Sequence, residues 1–329
     1  MKKRSWIGQL LTRPVTSPVA RAIRKPPHRA RLAVEVLEAR CLLSVVVNNP
    51  TDTPVAGEID LRQAIVLANT NGGAQTITFD PTVFKTPQTI NLSGGQLELS
   101  NTSGTDTITG PTAGVTVNGG GLSRVFQVDK LVAASISGLT ITGGKSAGNG
   151  GGVYNSGSLA LANCTVSGNS VGNTGGGVFN NHGTVAMTKC TISGNAANTG
   201  GGVTSYGSLA LTNCTVSDNT ASNTVYGGGG VKNGSYSTAT LTNCTVSGNS
   251  ASYGGGVYSF YHCTTTLTNC TVSGNSAISG GGVFNWDIVT ATLTNCTISD
   301  NSASGTCTFD GGGGMANDVF STATLTNCT

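Results

Sequence analysis

The stretch from Gly150 to Ser170 reads GGGVYNSGSLALANCTVSGNS, and its pattern decides the fold. Apolar residues stand two apart in short pieces, as Leu159 and Leu161 do, and a period of two is typical of β-strands. The step from Leu161 to Cys164 is three residues, so Asn163 changes the phase. Asn tolerates left-handed backbone and suits a corner. The stretch therefore predicts three short strands, GGGVYN, SLALA and CTVSG. The side chains predicted to face inward are Val153, Leu159, Leu161, Cys164 and Val166.

The same unit recurs along the chain at intervals of 24 to 32 residues. Each unit has a glycine run followed by one apolar residue, and a cysteine keeps step with it. The runs end at Gly152, Gly177, Gly202, Gly230, Gly256, Gly282 and Gly314, and the cysteines are Cys164, Cys190, Cys214, Cys244, Cys270, Cys296 and Cys328. Leucine-rich repeats have a similar length, but they need Leu at several fixed offsets. Stacking of these coils about 4.8 Å apart predicts an all-β, right-handed parallel β-helix.

Two rows of asparagine are predicted to stack along the axis of this solenoid. One row occupies the corner after the second strand and is interrupted by Lys189, and the other row follows the third strand. The first row is Asn163, Asn213, Asn243, Asn269, Asn295 and Asn327, and the second is Asn169, Asn195, Asn219, Asn249, Asn275 and Asn301. Stacked side-chain amides hydrogen-bond from coil to coil, which satisfies a corner without charge.

The composition agrees with a β-rich repeat protein that carries a basic leader. Gly accounts for 49 of the 329 residues, and charged residues make up only 9%. This low charge excludes a charge-rich disordered chain, and no run reaches the roughly 18 apolar residues that span a bilayer. Residues 1–44 hold ten of the 17 Lys and Arg residues but only two of the 14 acids. Such a leader is typical of a targeting segment, and the acidic remainder disfavours nucleic acid as a partner.

The end of the leader carries a family resemblance. Its sequence VEVLEARCLLS (Val34–Ser44) resembles the LEPR-x-LL signature near the N-terminus of many exported planctomycete proteins. Ala39 stands where that signature has Pro. The resemblance implies a secreted or cell-surface protein, the outer membrane included, and it implies nothing about the fold.

Residues 45–149 are predicted to form an N-terminal cap and irregular first coils, ahead of the regular repeats in residues 150–329. A short helix is expected to cover the open end of the solenoid, with Asp60 as its N-cap. The residues with helical spacing are Leu61, Ala64, Ile65 and Ala68. Strands are predicted at Gln75–Phe79, Thr89–Leu92, Val115–Val117, Arg124–Val128 and Ile136–Ile141.

Two further resemblances follow from these segments. GEIDLRQAIVLANTNGGAQTITFDPTVF (Gly57–Phe84) resembles the CSLREAI domain, with Ile59 and Asp60 in place of that family's Cys and Ser, and Gln63 in place of its Glu. The downstream repeats resemble right-handed β-helix proteins of the pectin-lyase-like superfamily. They are also similar to the repeats of chlamydial polymorphic outer-membrane proteins, with Gly-Gly-Gly-Val in place of Gly-Gly-Ala-Ile. The resemblances imply a secreted or surface-displayed β-helix and fix no activity.

The cysteines are expected to be structural. Those at the repeat position should face inward as small hydrophobic residues, so we expect a reduced core ladder. Scattered disulfides are the alternative, since neighbours about 4.8 Å apart lie within disulfide range. Cys263 and Cys307 lie off the ladder in longer turns. The ladder has no Cys-x-x-Cys and no His beside it, so no metal site is predicted there.

No catalytic constellation or cofactor site is predicted. A lyase of the pectin-lyase type needs carboxylates that hold calcium and a basic residue, and a hydrolase needs a carboxylate pair. His182 and His262 are about three coils apart. Asp310 and Asp318 flank a glycine run and are the candidates for loose calcium binding.

An outward aromatic row is the one predicted binding feature. It follows the inward apolar residue of the first strand and consists of Tyr154, Phe179, Tyr258 and Phe284. Such a row can stack on sugar rings, and cross-coil packing that stiffens the sheet is the alternative interpretation.

These observations favour a non-catalytic secreted or cell-surface protein, adhesin-like or structural, that binds a glycan or protein through its sheet faces. A polysaccharide lyase or glycoside hydrolase is the alternative, and an autotransporter-type passenger of the outer membrane is a third. Thr329 falls inside a repeat with no polar cap after it. We therefore expect either a longer native chain or self-association through that end.

Overall fold

The computed structural model describes residues 43–224, 227–305 and 311–329. The chain winds into a solenoid whose coils pair in parallel through three sheets. In the regular coils the path runs from a Val-Tyr-Asn strand to a Ser-Leu-Ala-Leu-Ala strand and then, past the Asn corner, to a Thr-Val-Ser strand. We call the sheets that these strands build sheets 1, 2 and 3. The predicted all-β parallel solenoid is confirmed.

Each strand pairs in parallel with its counterpart in the neighbouring coils, and the first and last strand of each sheet pair on one side. Sheet 1 contains Leu97–Leu99, Phe126–Val128, Val153–Asn155, Val178–Asn180, Val203–Ser205, Val231–Asn233, Val257–Phe260, Val283–Trp286 and Met315–Asp318. Sheet 2 contains Leu43–Val47, Gln75–Phe79, Thr105–Thr109, Ala133–Ser137, Ser158–Ala162, Thr184–Thr188, Ser208–Thr212, Thr238–Thr242, Thr264–Thr268, Thr290–Thr294 and Thr322–Thr326. Sheet 3 contains Gln88–Asn91, Val115–Asn118, Leu139–Thr142, Thr165–Ser167, Thr191–Ser193, Thr215–Ser217, Thr245–Ser247, Thr271–Ser273 and Thr297–Ser299.

A fourth, shorter row of strands was not predicted. Its two-residue members follow sheet 3 in most of the regular coils, and they are too short to show a period in the sequence. They are Lys145–Ser146, Ser170–Val171, Ala196–Ala197, Thr220–Ala221, Ser276–Ala277 and Ser302–Ala303. The predicted strand Ile136–Ile141 also differs, because Gly138 adopts a φ of 67° and divides it between sheets 2 and 3.

The core lies between the three sheets and consists of the predicted inward positions. Val153, Leu159, Leu161, Cys164 and Val166 are each at most 1% exposed. Register is kept from coil to coil, so that like residues stack along the axis. The ladder cysteines are buried except Cys328, which is half-buried, and the cysteines within the described ranges are free. Cys307 lies outside the described residues.

The last glycine of each run is required by close approach between coils. A Cβ atom added to Gly177 would lie 2.6 Å from the carbonyl oxygen of Gly202 and 3.0 Å from Nδ2 of Asn195. Real Cβ atoms do not come that close to backbone. The glycine run is therefore the point where the chain passes tightly over the next coil, which explains why it marks the repeat.

Both predicted asparagine rows are confirmed, and they differ in burial. In the row after sheet 3, Asn195 donates from Nδ2 to Oδ1 of Asn219 at 2.9 Å, and Asn219 does the same to Asn249 at 2.9 Å. These residues are at most 1% exposed. The corner row is exposed, and Asn243 donates to Asn213 across 3.2 Å. Residues of this corner row adopt the left-handed conformation, with a φ of 54° at Asn243.

A third polar row lies inside sheet 1 and was not predicted. Asn155 donates from Nδ2 to Oδ1 of Asn180 at 2.8 Å, and Asn180 donates to the hydroxyl of Ser205 at 3.0 Å. All three residues are fully buried.

The predicted helix is present at Leu61–Asn71 and packs on the first strands of sheets 1 and 2. Asp60 accepts a hydrogen bond from the backbone N–H of Gln63 at 2.7 Å, and Gln63 accepts one from the N–H of Asp60 at 3.0 Å. This reciprocal capping box confirms Asp60 as the N-cap. The helix buries Leu61, Ala64, Ile65 and Ala68.

Candidate functional site

The predicted aromatic row exists, but its rings are largely covered. The four residues occupy the second position of their sheet 1 strands, next to inward valines. The ring centroids of Tyr154 and Phe179 lie 5.5 Å apart, and those of Tyr258 and Phe284 lie 5.8 Å apart. Exposure is 4% for Phe179, 0% for Tyr258 and 2% for Phe284. The expectation that these rings face solvent is therefore wrong for three of the four.

The covering groups explain this burial. The turn before the strand Val257–Phe260 packs closely against Tyr258. A Cβ atom added to Gly254 in this turn would lie 2.7 Å from Cβ of Tyr258. The ring of Tyr253 stacks on Phe284 at 5.4 Å. Tyr154 is half-buried, and the guanidinium of Arg124 lies 4.8 Å from its ring centroid. This row stiffens sheet 1, in agreement with the packing interpretation.

A second set of aromatic side chains, in part exposed and in part half-buried, lies at the turns that join sheet 1 to sheet 2. We call this set the aromatic ridge. It consists of His182, Tyr206, Tyr236, Phe260, Tyr261, His262 and Trp286. Its rings form two contact groups along the solenoid. One group is His182 with Tyr206, and the other is Tyr236, Phe260, Tyr261, His262 and Trp286.

The centre of the ridge is a compact three-ring cluster. Tyr236 stacks on the imidazole of His262 at 5.2 Å with an interplanar angle of 7°, and it meets Tyr261 edge to face at 5.2 Å. Tyr236 is 71% exposed. Beside this cluster, Phe260 contacts Trp286 at 5.4 Å, and both are half-buried. The ridge therefore offers accessible ring faces on a packed base.

The backbone of these turns is strained to hold the rings. His182, Tyr236, Tyr261 and His262 have φ values of 57°, 57°, 61° and 54°. The left-handed region costs most non-glycine residues about 1–2 kcal/mol. A turn optimised for stability alone would carry Gly or Asn there. Aromatic residues at these positions indicate a role on the surface.

The charges around the ridge are few and acidic. A hydrogen bond with Tyr261 raises the pKa of the Tyr236 phenol, and the nearby Asp287 carboxylate acts in the same direction. Burial raises the pKa of Tyr206. Lys232, the cation on the adjacent strand, is 4% exposed, and burial lowers its pKa to about 8. The accessible ridge surface is therefore aromatic and polar, with no exposed Lys or Arg among the residues that define it.

A carboxyl pair at the start of sheet 1 was missed by the sequence reasoning. Gln127 lies between Glu98 and Asp129, donating from Nε2 to Asp129 at 2.8 Å and to Glu98 at 3.5 Å. Burial, followed by the contact with Asp129, raises the pKa of Glu98.

Of the two predicted calcium candidates, Asp318 lies within the described residues. Asp318 is half-buried, and its Oδ1 accepts a hydrogen bond from the N–H of Val319 at 2.8 Å. Asp310 lies outside the described residues, so calcium binding by the pair stays a prediction. Within residues 43–224, 227–305 and 311–329, no group of three or more His, Cys, Asp or Glu is placed to hold a metal ion.

The comparisons with known proteins identify the family. The family described as "Right handed beta helix region" matches residues 107–287 and 230–329, and the chain belongs to it. The right-handed parallel β-helix predicted from the sequence is thereby confirmed.

Two solved structures are similar in fold. Pectate lyase Pel9A is 11% identical, with a TM-score of 0.48 over 87% of this chain and 78% of that chain. ORF18 of Geobacillus virus E2 is 12% identical, with a TM-score of 0.41 over 78% of this chain and 55% of that chain. No curated protein matches the chain. In the described part of the chain, no helix has the length and apolar character to cross a membrane.

Proposed function

We propose that the protein is a non-catalytic, exported β-helix protein that binds extracellular polysaccharide through the aromatic ridge. The observation that carries the proposal is the cluster of Tyr236, Tyr261 and His262, whose rings lie 4.7–5.2 Å apart on an exposed edge. Export and an adhesin-like role at the cell surface are part of the proposal, and the basic leader supports them.

The chemistry of the ridge suits sugars. Tyr and Trp present a large apolar face beside a polar group, so they stack on the C–H face of a sugar while hydrogen-bonding its hydroxyls. Successive coils are about 4.8 Å apart, so the rings recur along the axis and can contact several residues of one chain. Rings on a rigid solenoid lose little freedom on binding, which favours affinity.

Affinity electrophoresis of the full chain tests this proposal. The gels contain xylan, a soluble β-glucan or polygalacturonate, and retardation reports binding. We expect Tyr236→Ala and Tyr261→Ala to lose the retardation. Tyr236→Phe is the matched control and should keep it, because the ring remains. Leu122, which is 77% exposed and does not belong to the ridge, supplies a second control as Leu122→Ala.

Two results would contradict the proposal. Equal retardation of Tyr236→Ala and the wild type would place binding elsewhere. Release of unsaturated or reducing sugar ends from a retarding polysaccharide would favour the alternative of a lyase or hydrolase.

A further inference from the structure

Sheet 2 presents a regular array of threonines in its last four described strands. The strands Thr238–Thr242, Thr264–Thr268, Thr290–Thr294 and Thr322–Thr326 carry Thr at every outward position. They pair residue by residue, so that each outward Thr lies beside its counterpart in the next coil. The intervening side chains, such as Leu241 and Leu267, point into the core.

The hydroxyl groups of this array face solvent. The outward threonines are exposed or half-buried. Within the described part of the chain, their side chains make no hydrogen bond to another protein group. The four strands contain no ionisable side chain. The bordering corner carries the exposed asparagine row, in which Asn269 donates to Asn243 at 3.1 Å and Asn295 donates to Asn269 at 3.1 Å.

The array is geometrically uniform. Coils are separated by about 4.8 Å, and alternate residues of a parallel strand by about 6.6 Å. The β-branched Thr side chain is stiff at χ1, so each methyl and hydroxyl group is held in a fixed direction. The side-chain ladders of stacked sheets oppose twist and keep such a face flat. The result is a two-dimensional lattice of alternating methyl and hydroxyl groups.

The fold itself does not require these threonines. In the earlier strand Ser158–Ala162 the same outward positions hold Ser158, Ala160 and Ala162, and the register is unchanged. The threonines therefore add a surface property to a sheet that forms without them.

We propose that this threonine face binds ice. The methyl groups constrain the water above them, and the hydroxyl groups recur at about 4.8 Å by about 6.6 Å, a regular set of sites for an ordered layer of water. Because the hydroxyls are fixed before binding, ordered water joins them at little further entropic cost. The face lacks the aromatic rings that would favour a polysaccharide, and it lacks the charge that would favour an ionic partner.

Nanolitre osmometry of the full chain tests this proposal. We expect the wild type to hold an ice crystal at constant size below its melting point and to shape it into facets. Thr266→Lys, in the middle of the array, should lose most of this thermal hysteresis. Thr140→Lys, on the outer side of sheet 3, is the matched control and should keep it.

Circular dichroism melting shows whether each variant is folded, and Thr324→Lys on the exposed last strand provides a second variant. A wild-type chain that neither arrests ice growth nor slows ice recrystallisation would overturn the proposal. Full activity in folded Thr266→Lys and Thr324→Lys would overturn it as well. Retention on crystalline cellulose that Thr266→Lys abolishes and Tyr236→Ala keeps, without any effect on ice, would assign the face to a polysaccharide instead.

Discussion

Removal of one amide from the buried asparagine row should destabilise the solenoid far more than removal of one from the exposed row. Asn219 lies in the middle of the buried row. Its Oδ1 accepts from the backbone N–H of Asn195 at 3.0 Å and from Nδ2 of Asn195 at 2.9 Å, and its Nδ2 donates to the carbonyl oxygen of Ile192 at 3.0 Å. Asn219→Ala removes all of these bonds at a site that is 0% exposed.

The expected loss follows from the groups left without a partner. A buried donor or acceptor without its hydrogen bond costs about 1–3 kcal/mol. The N–H of Asn195 loses its partner, while Nδ2 of Asn195 keeps a bond to Val166 at 2.9 Å. The carbonyl oxygen of Ile192 and Oδ1 of Asn249 each lose one donor as well. One full penalty and three partial ones give a loss in the free energy of unfolding of about 3 kcal/mol.

Asn243→Gly is the matched control. It removes two exposed amide bonds, of 3.2 Å to Asn213 and 3.1 Å from Asn269, and glycine accepts the φ of 54° at that corner without strain. Water replaces the lost bond, so the expected loss is below about 1 kcal/mol. Urea unfolding followed by circular dichroism measures both variants.

Hydrogen exchange adds a local measurement, because solenoids can unfold one repeat at a time. The amide of Asn195 should exchange faster in Asn219→Ala than in the wild type. Equal losses in the free energy of unfolding in Asn219→Ala and Asn243→Gly would refute the reasoning, because burial would then not determine how much each amide of the rows stabilises the fold.

Three further predictions concern stability. Gly177→Ala should lower the free energy of unfolding by about 3 kcal/mol, because the added Cβ clashes with the next coil. The control Gly194→Ala should lower it by about 1 kcal/mol, because its added Cβ meets nothing within 4 Å. Equal losses of the two variants in urea unfolding would contradict this prediction. Burial raises the pKa of Asp106 above its ordinary value of 3.8, so this carboxyl stabilises the fold below pH 3.8, and that contribution is lost as the pH rises through the raised pKa. Asp106→Asn should remove this loss of stability with rising pH. Parallel curves of the urea midpoint against pH for the variant and the wild type would contradict the prediction. Burial lowers the pKa of Lys232 from 10.5 to about 8, so the free energy of unfolding should rise between pH 8 and 10.5. Lys232→Met should abolish that rise and should have a higher melting temperature than the wild type at pH 7. A lower melting temperature of the variant would contradict the prediction.

Much of the solenoid follows from the repeat itself. The period of two in SLALA predicts a strand, and the phase change at Asn163 predicts a corner. The spacing of Cys164 from Cys190 predicts a ladder of stacked coils. All three features are present in the structure. Repetition is informative because every coil faces the same neighbours, so one unit reports the environment of all. The short strands after sheet 3 and the division at Gly138 were missed, because two residues carry no period and one glycine can sit within a strand or end it. The division into residues 1–44, 45–149 and 150–329 stays a prediction.

The candidate site was harder to predict than the fold. The second position of four sheet 1 strands does carry an aromatic residue, but alternation along a strand cannot show that Tyr253 and the turn at Gly254 cover these rings. The ridge lies in turns, where the sequence has no hydrophobic period that would show which side chains face solvent. A signal was available in the aromatic residues that recur shortly after each Gly-Gly-Gly-Val, as at Tyr206 and Trp286. The pair of Glu98 and Asp129 comes together only through stacking of two coils with dissimilar sequences.

Fluorescence of Trp286 tests the central claim most directly. Trp6 is the chain's other tryptophan, so Trp6→Phe leaves Trp286 as the single reporter, half-buried beside Phe260 in the ridge. Titration with a polysaccharide that retards the chain in affinity gels should shift the emission of Trp286 to shorter wavelength and saturate, because a stacked sugar excludes water from the indole. The same titration of Tyr236→Ala should require more polysaccharide. A polysaccharide that retards the chain but leaves the Trp286 emission unchanged would contradict binding at the ridge.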